Sequence, residues 1–276
     1  MLIRNDGTLW GVGPNNEGAL GDTGVTLANS WHKVFSDVKH VACGNNFSIA
    51  IKNDGTLWVT GFNGYGQLGT GNTINVNTWT QVMTDVSYVD CGICHSLALK
   101  NDGSLWVTGC NNYGQLGTGN TINVNTWTQI LTDVASIAAG HENSFALKNN
   151  RVLFATGRNN YFQFGTGDNV DLKNWVIVLS DVSSVAAGRD HTLAIKNDGT
   201  LWVTGDNSCG QYGNGNNYTY GLWLMVLTDV SKAACGIGYS LAIRNDGTLW
   251  GTGINASGEL GMGYSNNINS WTKLYY

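Results

Sequence analysis

Two features of the chain have the residue types and spacing of a reactive centre. Cys91-Gly92-Ile93-Cys94-His95 has the Cys-x-x-Cys-His order of covalent haem attachment, with two thiols to hold the macrocycle and an imidazole to ligate its iron. His141-Glu142 and Asp190-His191 each set an imidazole beside a carboxylate, the pairing that moves protons in general acid–base catalysis. Neighbours on a strand turn point apart more often than together, so neither pair is expected to act as a unit. The chain has no Gly-x-Ser-x-Gly elbow, no phosphate loop ending in Gly-Lys-Ser/Thr and no His-Glu-x-x-His zinc helix. The expectation is a protein that is not an enzyme and that carries no cofactor or metal.

What positions these residues is a repeat, and tryptophan is its ruler. Trp10, Trp58, Trp106, Trp202 and Trp250 are separated by 48 residues or twice 48, with Phe154 in the vacant place. Trp31, Trp79, Trp127, Trp175, Trp223 and Trp271 keep the same step of 48 without exception. One copy reads as four short extended segments: a (85–91), b (96–100), c (104–109) and d (127–130). Between b and c stands Asn101-Asp102-Gly103, and near-copies recur at Asn5, Asn53, Asn197 and Asn245. A short Asp-Gly between β-prone runs predicts an antiparallel hairpin, because glycine readily takes the positive φ the turn needs. The c segment, Leu-Trp-Val-Thr, is apolar on both faces, which suits a sheet sandwiched between two others.

The repeat removes the haem reading. Cys91 stands where other copies have Cys43, Ala139, Ala187 and Cys235, so it reads as a small strand residue, and His95 recurs as His191 with no cysteine beside it. Disulfides among Cys43, Cys91 and Cys235 are not expected, because equivalent positions in different modules usually lie beyond the ~7 Å Cα limit. Cys110 and Cys209 fall in loops, with nothing in the sequence to lower their pKa.

Composition narrows the class. The 276 residues fit one domain, 1–276, in a single architecture. Thirty-eight glycines and only 12% charged residues go with 42% apolar residues and eleven tryptophans, enough burial to fold. A net charge of −5 with 14 basic residues leaves no basic patch for a run of phosphates, so nucleic acid is not an expected partner. No apolar run approaches the ~20 residues that span a bilayer, and Met1-Leu2-Ile3-Arg4 does not read as a signal peptide, so membrane insertion is not expected.

Four strands per module, a period in the forties and about six modules predict an all-β, six-bladed β-propeller. The residues then resemble a known family. Gly114-Gln115-Leu116-Gly117, preceded by Trp-Val-Thr-Gly and by the Gly-x-x-His-Ser step from Gly92 to Ser96, is similar to the regulator of chromosome condensation repeat. The Gly-Gln-Leu-Gly core is clean at Gly66 and Gly114 and altered in the other four copies. The resemblance implies the propeller fold; it implies function only loosely, since its relatives include a secreted β-lactamase inhibitor and an exchange factor for a small GTPase. It also sets a contrast, because the founding member has seven blades and a basic tail.

Six b, c and d segments face only five a segments. One blade therefore mixes both termini or lacks a strand, and the expectation is that the N-terminal b, c and d segments close the ring as a three-stranded blade. Were the gap to stay open, its edge would be free to accept a strand from another chain.

Positions identical in all six copies read as scaffold: the c-strand leucine, the glycine ending that strand (Gly109 in the third copy) and the asparagine two residues later (Asn111). In a meander, the a–b and c–d connections emerge at one end of the blade, and these are where the copies differ. The candidate binding residues there are Ile93, His95, His141, Glu142, Arg189, Asp190, His191 and Tyr239 in the a–b turns, with Phe62, Tyr65, Tyr113, Arg158, Tyr161, Asp206 and Ile254 in the c–d loops. Aromatic and arginine side chains on rigid turns make binding surfaces. The expected function is recognition of a protein, or of a glycan, across this face. A structural place in a larger assembly such as a phage virion or surface appendage is the alternative, suggested by the near-identity of residues 53–85 and 101–133, which differ at five positions. Nucleotide exchange on a small GTPase is a minor one.

Overall fold

The hairpin turns show how local chemistry builds each blade. At Asp54-Gly55 the glycine takes φ +83°, and Asp54 Oδ1 accepts hydrogen bonds from the Thr56 N–H at 2.9 Å and the Thr56 hydroxyl at 2.6 Å. Trp58 Nε1 then donates to that same hydroxyl at 2.8 Å, which fixes the first tryptophan of the repeat. Asp6, Asp102, Asp198 and Asp246 repeat this chain of bonds. A carboxylate so held stays below its usual pKa in each case, chiefly through the side-chain hydrogen bond of the following Thr or Ser.

The computed structural model describes residues 1–275, all strand, turn and loop. Its sheets are antiparallel and follow chain order. Blade 1 has three strands, Leu2–Ile3, Leu9–Pro14 and Leu27–Phe35. Blade 3 is typical of the other five, with four strands: a (Val86–Cys91), b (His95–Lys100), c (Leu105–Gly109) and d (Val124–Leu131). The corresponding a strands begin blade 2 at Val38–Cys43, blade 4 at Val134–Ala139, blade 5 at Val182–Ala187 and blade 6 at Val230–Cys235. The segments read from sequence lie on these strands, and d is longer than expected at both ends. Blade 6 takes its last strand, Ile268–Lys273, from the C-terminal region and blade 1 is wholly N-terminal, so no blade mixes the two ends.

Blades join face to face through apolar clusters. Ile49, Leu57 and Leu68 of blade 2 pack with Val86, Val89 and Ala98 of blade 3, and Trp127 lies against the same cluster. Trp127 sits on Gly69 of the preceding c–d loop, where an added Cβ would fall 2.4 Å from the indole. Gly21, Gly117, Gly165 and Gly213 seat Trp79, Trp175, Trp223 and Trp271 in the same way.

Between blades 6 and 1 this joint is unfilled. Gly258, Gly261 and Gly263 of blade 6 have nothing within 4 Å of an added Cβ, and the matching Trp31 of blade 1 is 48% exposed. Val12 is exposed too, where blades 2 to 6 have a threonine that is fully buried. On the facing side, Leu241, Ile243 and Leu249 are only half-buried although their counterparts in blades 2 to 5 are buried. Ring closure by the three-stranded blade, as expected from the strand count, is therefore corrected: among the described residues, five of the six possible blade joints are packed.

Candidate functional site

The a–b turns and c–d loops do emerge at one end, and they surround a recess of about 660 Å³. One residue per blade rims it: Asn45, Ile93, His141, Arg189 and Ile237 in blades 2 to 6. The turns of blades 2, 3 and 4 are tied to one another, Asn45 N–H donating to the Ile93 carbonyl at 3.2 Å and Ile93 N–H to that of His141 at 3.0 Å. Below the rim are the ends of the a strands, Cys43, Cys91, Ala139, Ala187 and Cys235, with Tyr239, Ile254 and Glu259 along one side. Burial holds the Cys91 thiol well above its usual pKa and pushes Cys235 up to about 12, so both stay protonated.

Each turn rests on a glycine that no other residue can replace without displacement. A Cβ on Gly92 would meet His95 Cε1 at 2.1 Å and the Gly140 carbonyl at 2.6 Å. The reason is the third turn residue, which begins strand b and folds back over that glycine into the interior. Phe47, His95, Asn143 and His191 all fill this slot, and all are buried. His95 Nε2 meets Ser144 Oγ of the next blade at 2.9 Å and His191 Nε2 meets Ser240 Oγ at 2.9 Å. Burial lowers both imidazoles to about 4, so they are neutral near pH 7. His95 and His191, expected on the binding surface, are thus interior links between blades. Tyr239 fills the same slot in blade 6 but is half-buried and lines the recess.

The second turn residue does something sequence comparison did not suggest: it pairs with the first residue of its own blade's c–d loop. Strand register places His95 opposite Gly109, His191 opposite Gly205 and Asn143 opposite Gly157. One step further lie the couples Cys94 with Cys110, Asp190 with Asp206 and Glu142 with Arg158. Arg158 Nη1 donates to Glu142 Oε2 at 2.5 Å, and the guanidinium lies over the Tyr113 ring with 5.1 Å to its centroid. His141 Nδ1 approaches the same carboxylate at 3.7 Å, so this pair meets where the sequence led us to expect divergence. Arg189 Nε binds Asp190 Oδ2 at 3.1 Å. Burial still pushes the Asp190 carboxyl above its usual range against the pull of Arg189 and Arg158.

The candidate residues therefore separate into groups. Ile93, His141, Arg189, Tyr239 and Ile254 gather at the recess. Glu142 and Asp190 are paired with Arg158 and Arg189, Tyr113 lies under the Arg158 guanidinium, and Asp206 accepts hydrogen bonds from Ser208 and Gln211 of its own loop. Tyr65 and Tyr161 stand exposed farther out, with Phe62 packed edge-on against Tyr65 at 6.0 Å. Ile237 was missed as a site residue, although it is 67% exposed on the rim. Its alignment with Arg189 was the available signal. Cys94 was missed as well; only strand register reveals its partner.

Residues 1–274 match the family model of the RCC1-like domain. Among solved structures, human WBSCR16 matches with a TM-score of 0.86 and 23% identity, over 97% of this chain and 76% of that one. Prp20p from Saccharomyces cerevisiae, in a structure described with its binding properties to Gsp1p and histones, matches with a TM-score of 0.86 and 22% identity, over 99% and 74%. Yeast RCC1 (Prp20) bound by Kap60 matches with a TM-score of 0.86 and 20% identity, over 99% and 72%. No curated protein sequence matches the chain.

Proposed function

Because the chain belongs to the RCC1-like domain family, we propose that it is a non-enzymatic recognition propeller that binds a protein partner across the rim of the recess. The observation that carries this reading is the contrast between backbone and side chains at the rim. Five turns repeat one backbone frame, three of them joined by hydrogen bonds, yet present an amide, two isoleucines, an imidazole and a guanidinium at equivalent positions. Mixed apolar and polar groups on a rigid frame suit a protein surface, where arginine and aromatic anchors dominate affinity. The yeast relatives, described with Kap60, Gsp1p and histones, are themselves protein binders, which supports the same class of partner here. A glycan partner and exchange on a small GTPase have no comparable observation in their favour.

The test is a variant carrying Arg189→Ala, Ile237→Asp and Tyr161→Ala. These side chains are exposed and their loss leaves the blade joints intact, so the melting temperature should stay within a few degrees. Partner retention from lysate should fall at least tenfold, while Asp54→Ala on the opposite end leaves retention unchanged. Equal retention by the rim variant would refute the reading. Arg158 is a poor choice for charge reversal, because its replacement by an acid would set two carboxylates together at Glu142.

The unfilled joint gives a second reading, membership of a multi-chain assembly, its one observation. Light scattering of the purified chain decides here: defined higher-order species would favour assembly, and a monomer that still retains its partner would favour recognition.

A further inference from the structure

Blade 3 carries two free thiols in a position that no other blade uses in this way. Cys94 closes its a–b turn and Cys110 opens its c–d loop, and the Cys110 N–H donates to the Cys94 carbonyl at 2.8 Å. Directly opposed residues of this kind in an antiparallel pair have Cα atoms ~5.5 Å apart, inside the ~4.4–6.8 Å range that a disulfide spans. The same couple in blade 4, Glu142 and Arg158, brings its side-chain ends into contact.

A second observation concerns Gln115, which is fully buried and whose Nε2 has no hydrogen-bond partner. Its Oε1 is taken by the Tyr113 N–H at 3.0 Å. In blade 5 the corresponding Gln211 donates Nε2 to Asp206 Oδ2 at 2.9 Å, and Asp206 stands where Cys110 stands. Gln115 thus keeps an unused buried donor in the loop that Cys110 opens, where the neighbouring copy uses the same amide to serve an anion. A cavity of about 200 Å³ is lined by Cys94 and Cys110 together with Phe62, Tyr65, Ile93 and Glu142. It has room for a small oxidant rather than for a folded substrate.

We propose that Cys94 and Cys110 form a dithiol site that reduces hydroperoxides and is itself oxidised to a disulfide. Cys110 thiolate attacks the terminal oxygen of the hydroperoxide. The S–O bond forms as the O–O bond breaks, sulfur supplies two electrons, and the leaving alkoxide or hydroxide takes a proton from water. Cys94 sulfur then attacks the Cys110 sulfenic acid: the S–S bond forms, the S–O bond breaks, and the departing hydroxide leaves as water with the Cys94 proton. Two thiols and one hydroperoxide become a disulfide, one alcohol (water for hydrogen peroxide) and one water. The acidity of the thiols agrees with these roles. The Cys94 thiol, with lesser help from the Asn112 N–H and the Gln115 amide, brings Cys110 down to about 7, against the opposing effects of burial and Glu142; Cys94 is pushed up. The product would pin the a–b turn to the c–d loop beside the proposed recognition rim, although the site does not depend on that reading.

Fully reduced protein treated with hydrogen peroxide should lose two hydrogens by intact mass, with peptide mapping placing the bond between residues 94 and 110. Cys110 should react at least tenfold faster than Cys209 of the same molecule, and Cys94→Ser should stop at a Cys110 sulfenic acid that dimedone traps. The variant places a small polar residue at a turn where other blades have asparagine, glutamate, aspartate or glycine, and circular dichroism checks its fold. Cys110 reacting no faster than Cys209, or disulfides forming only between molecules, would overturn the proposal.

Discussion

His95 and His191 show what a variable position can conceal. Comparison of copies groups all three a–b turn residues as variable and hence as surface. The third position varies because four different side chains, those of Phe47, His95 and His191, Asn143, and Tyr239, fill one slot between blades, and variation alone does not distinguish a differently packed interior from a free exterior. The two imidazoles have a measurable consequence. Their folded pKa of about 4 lies below the ~6.5 of an unfolded histidine, so between these values the unfolded chain binds more protons. Stability contributed by the neutral rings is complete above ~6.5 and is lost as pH falls towards 4. The raised pKa of Asp90, set by burial, works in the opposite sense, so the comparison must isolate the rings. Blade 4 supplies the control, since Asn143 occupies the slot without titrating. The double variant His95→Asn, His191→Asn should lose less stability than wild type between pH 7 and pH 4.5 in urea titrations. Parallel curves for the two proteins would show that the imidazoles are not buried as neutral bases.

At the scale of the element, the c–d loop is held by one side chain per blade. Asn111 is fully buried; its Oδ1 accepts the Leu116 N–H at 2.9 Å, and its Nδ2 donates to Thr118 Oγ1, the Asn120 carbonyl and the Ile122 carbonyl at 3.0–3.1 Å. The asparagine was legible in the sequence as scaffold, because it is the same in every copy and turn asparagines bond nearby backbone. The strand pattern, the Asp-Gly hairpins and the glycine at the end of strand c were legible for the same reason, and Gly109 indeed takes φ +109°. The cross-strand couples were not, since a one-residue change of register would exchange every partner and no single copy states its register. Asn111→Ala removes four hydrogen bonds and strands the Leu116 N–H in the interior, which should cost about 2–3 kcal/mol. Urea unfolding measures the loss, and hydrogen exchange should show it first in residues 112–123. A loss below about 0.5 kcal/mol would mean that the loop is held by its tips rather than by this side chain.

For the whole molecule the governing fact is that stability in a repeat array comes from intrinsic blade terms plus nearest-neighbour joints. A closed ring of six equal blades would have six equivalent joints, and the second tryptophan would matter equally in each. Here Trp127 packs on Gly69 and joins the cluster shared by blades 2 and 3, whereas Trp31 finds no glycine seat and is 48% exposed. Truncating a well-packed aromatic costs ~3–5 kcal/mol and an exposed one far less. Trp127→Ala should therefore cost about 3 kcal/mol and Trp31→Ala under about 1 kcal/mol, both read from urea unfolding of the purified chain. The last blade carries the same asymmetry: Gly213→Ala, which drives a methyl group into Trp271 at 2.5 Å, should destabilise. Both glycines have positive φ, +70° and +66°, so alanine is strained at each, and Gly261→Ala should show that backbone strain alone. The difference between the two alanine variants measures the packing of a joint free of the common conformational cost. If Trp31 and Gly261 prove as costly to replace as Trp127 and Gly213, blades 1 and 6 are packed against each other in solution and the open joint is wrong.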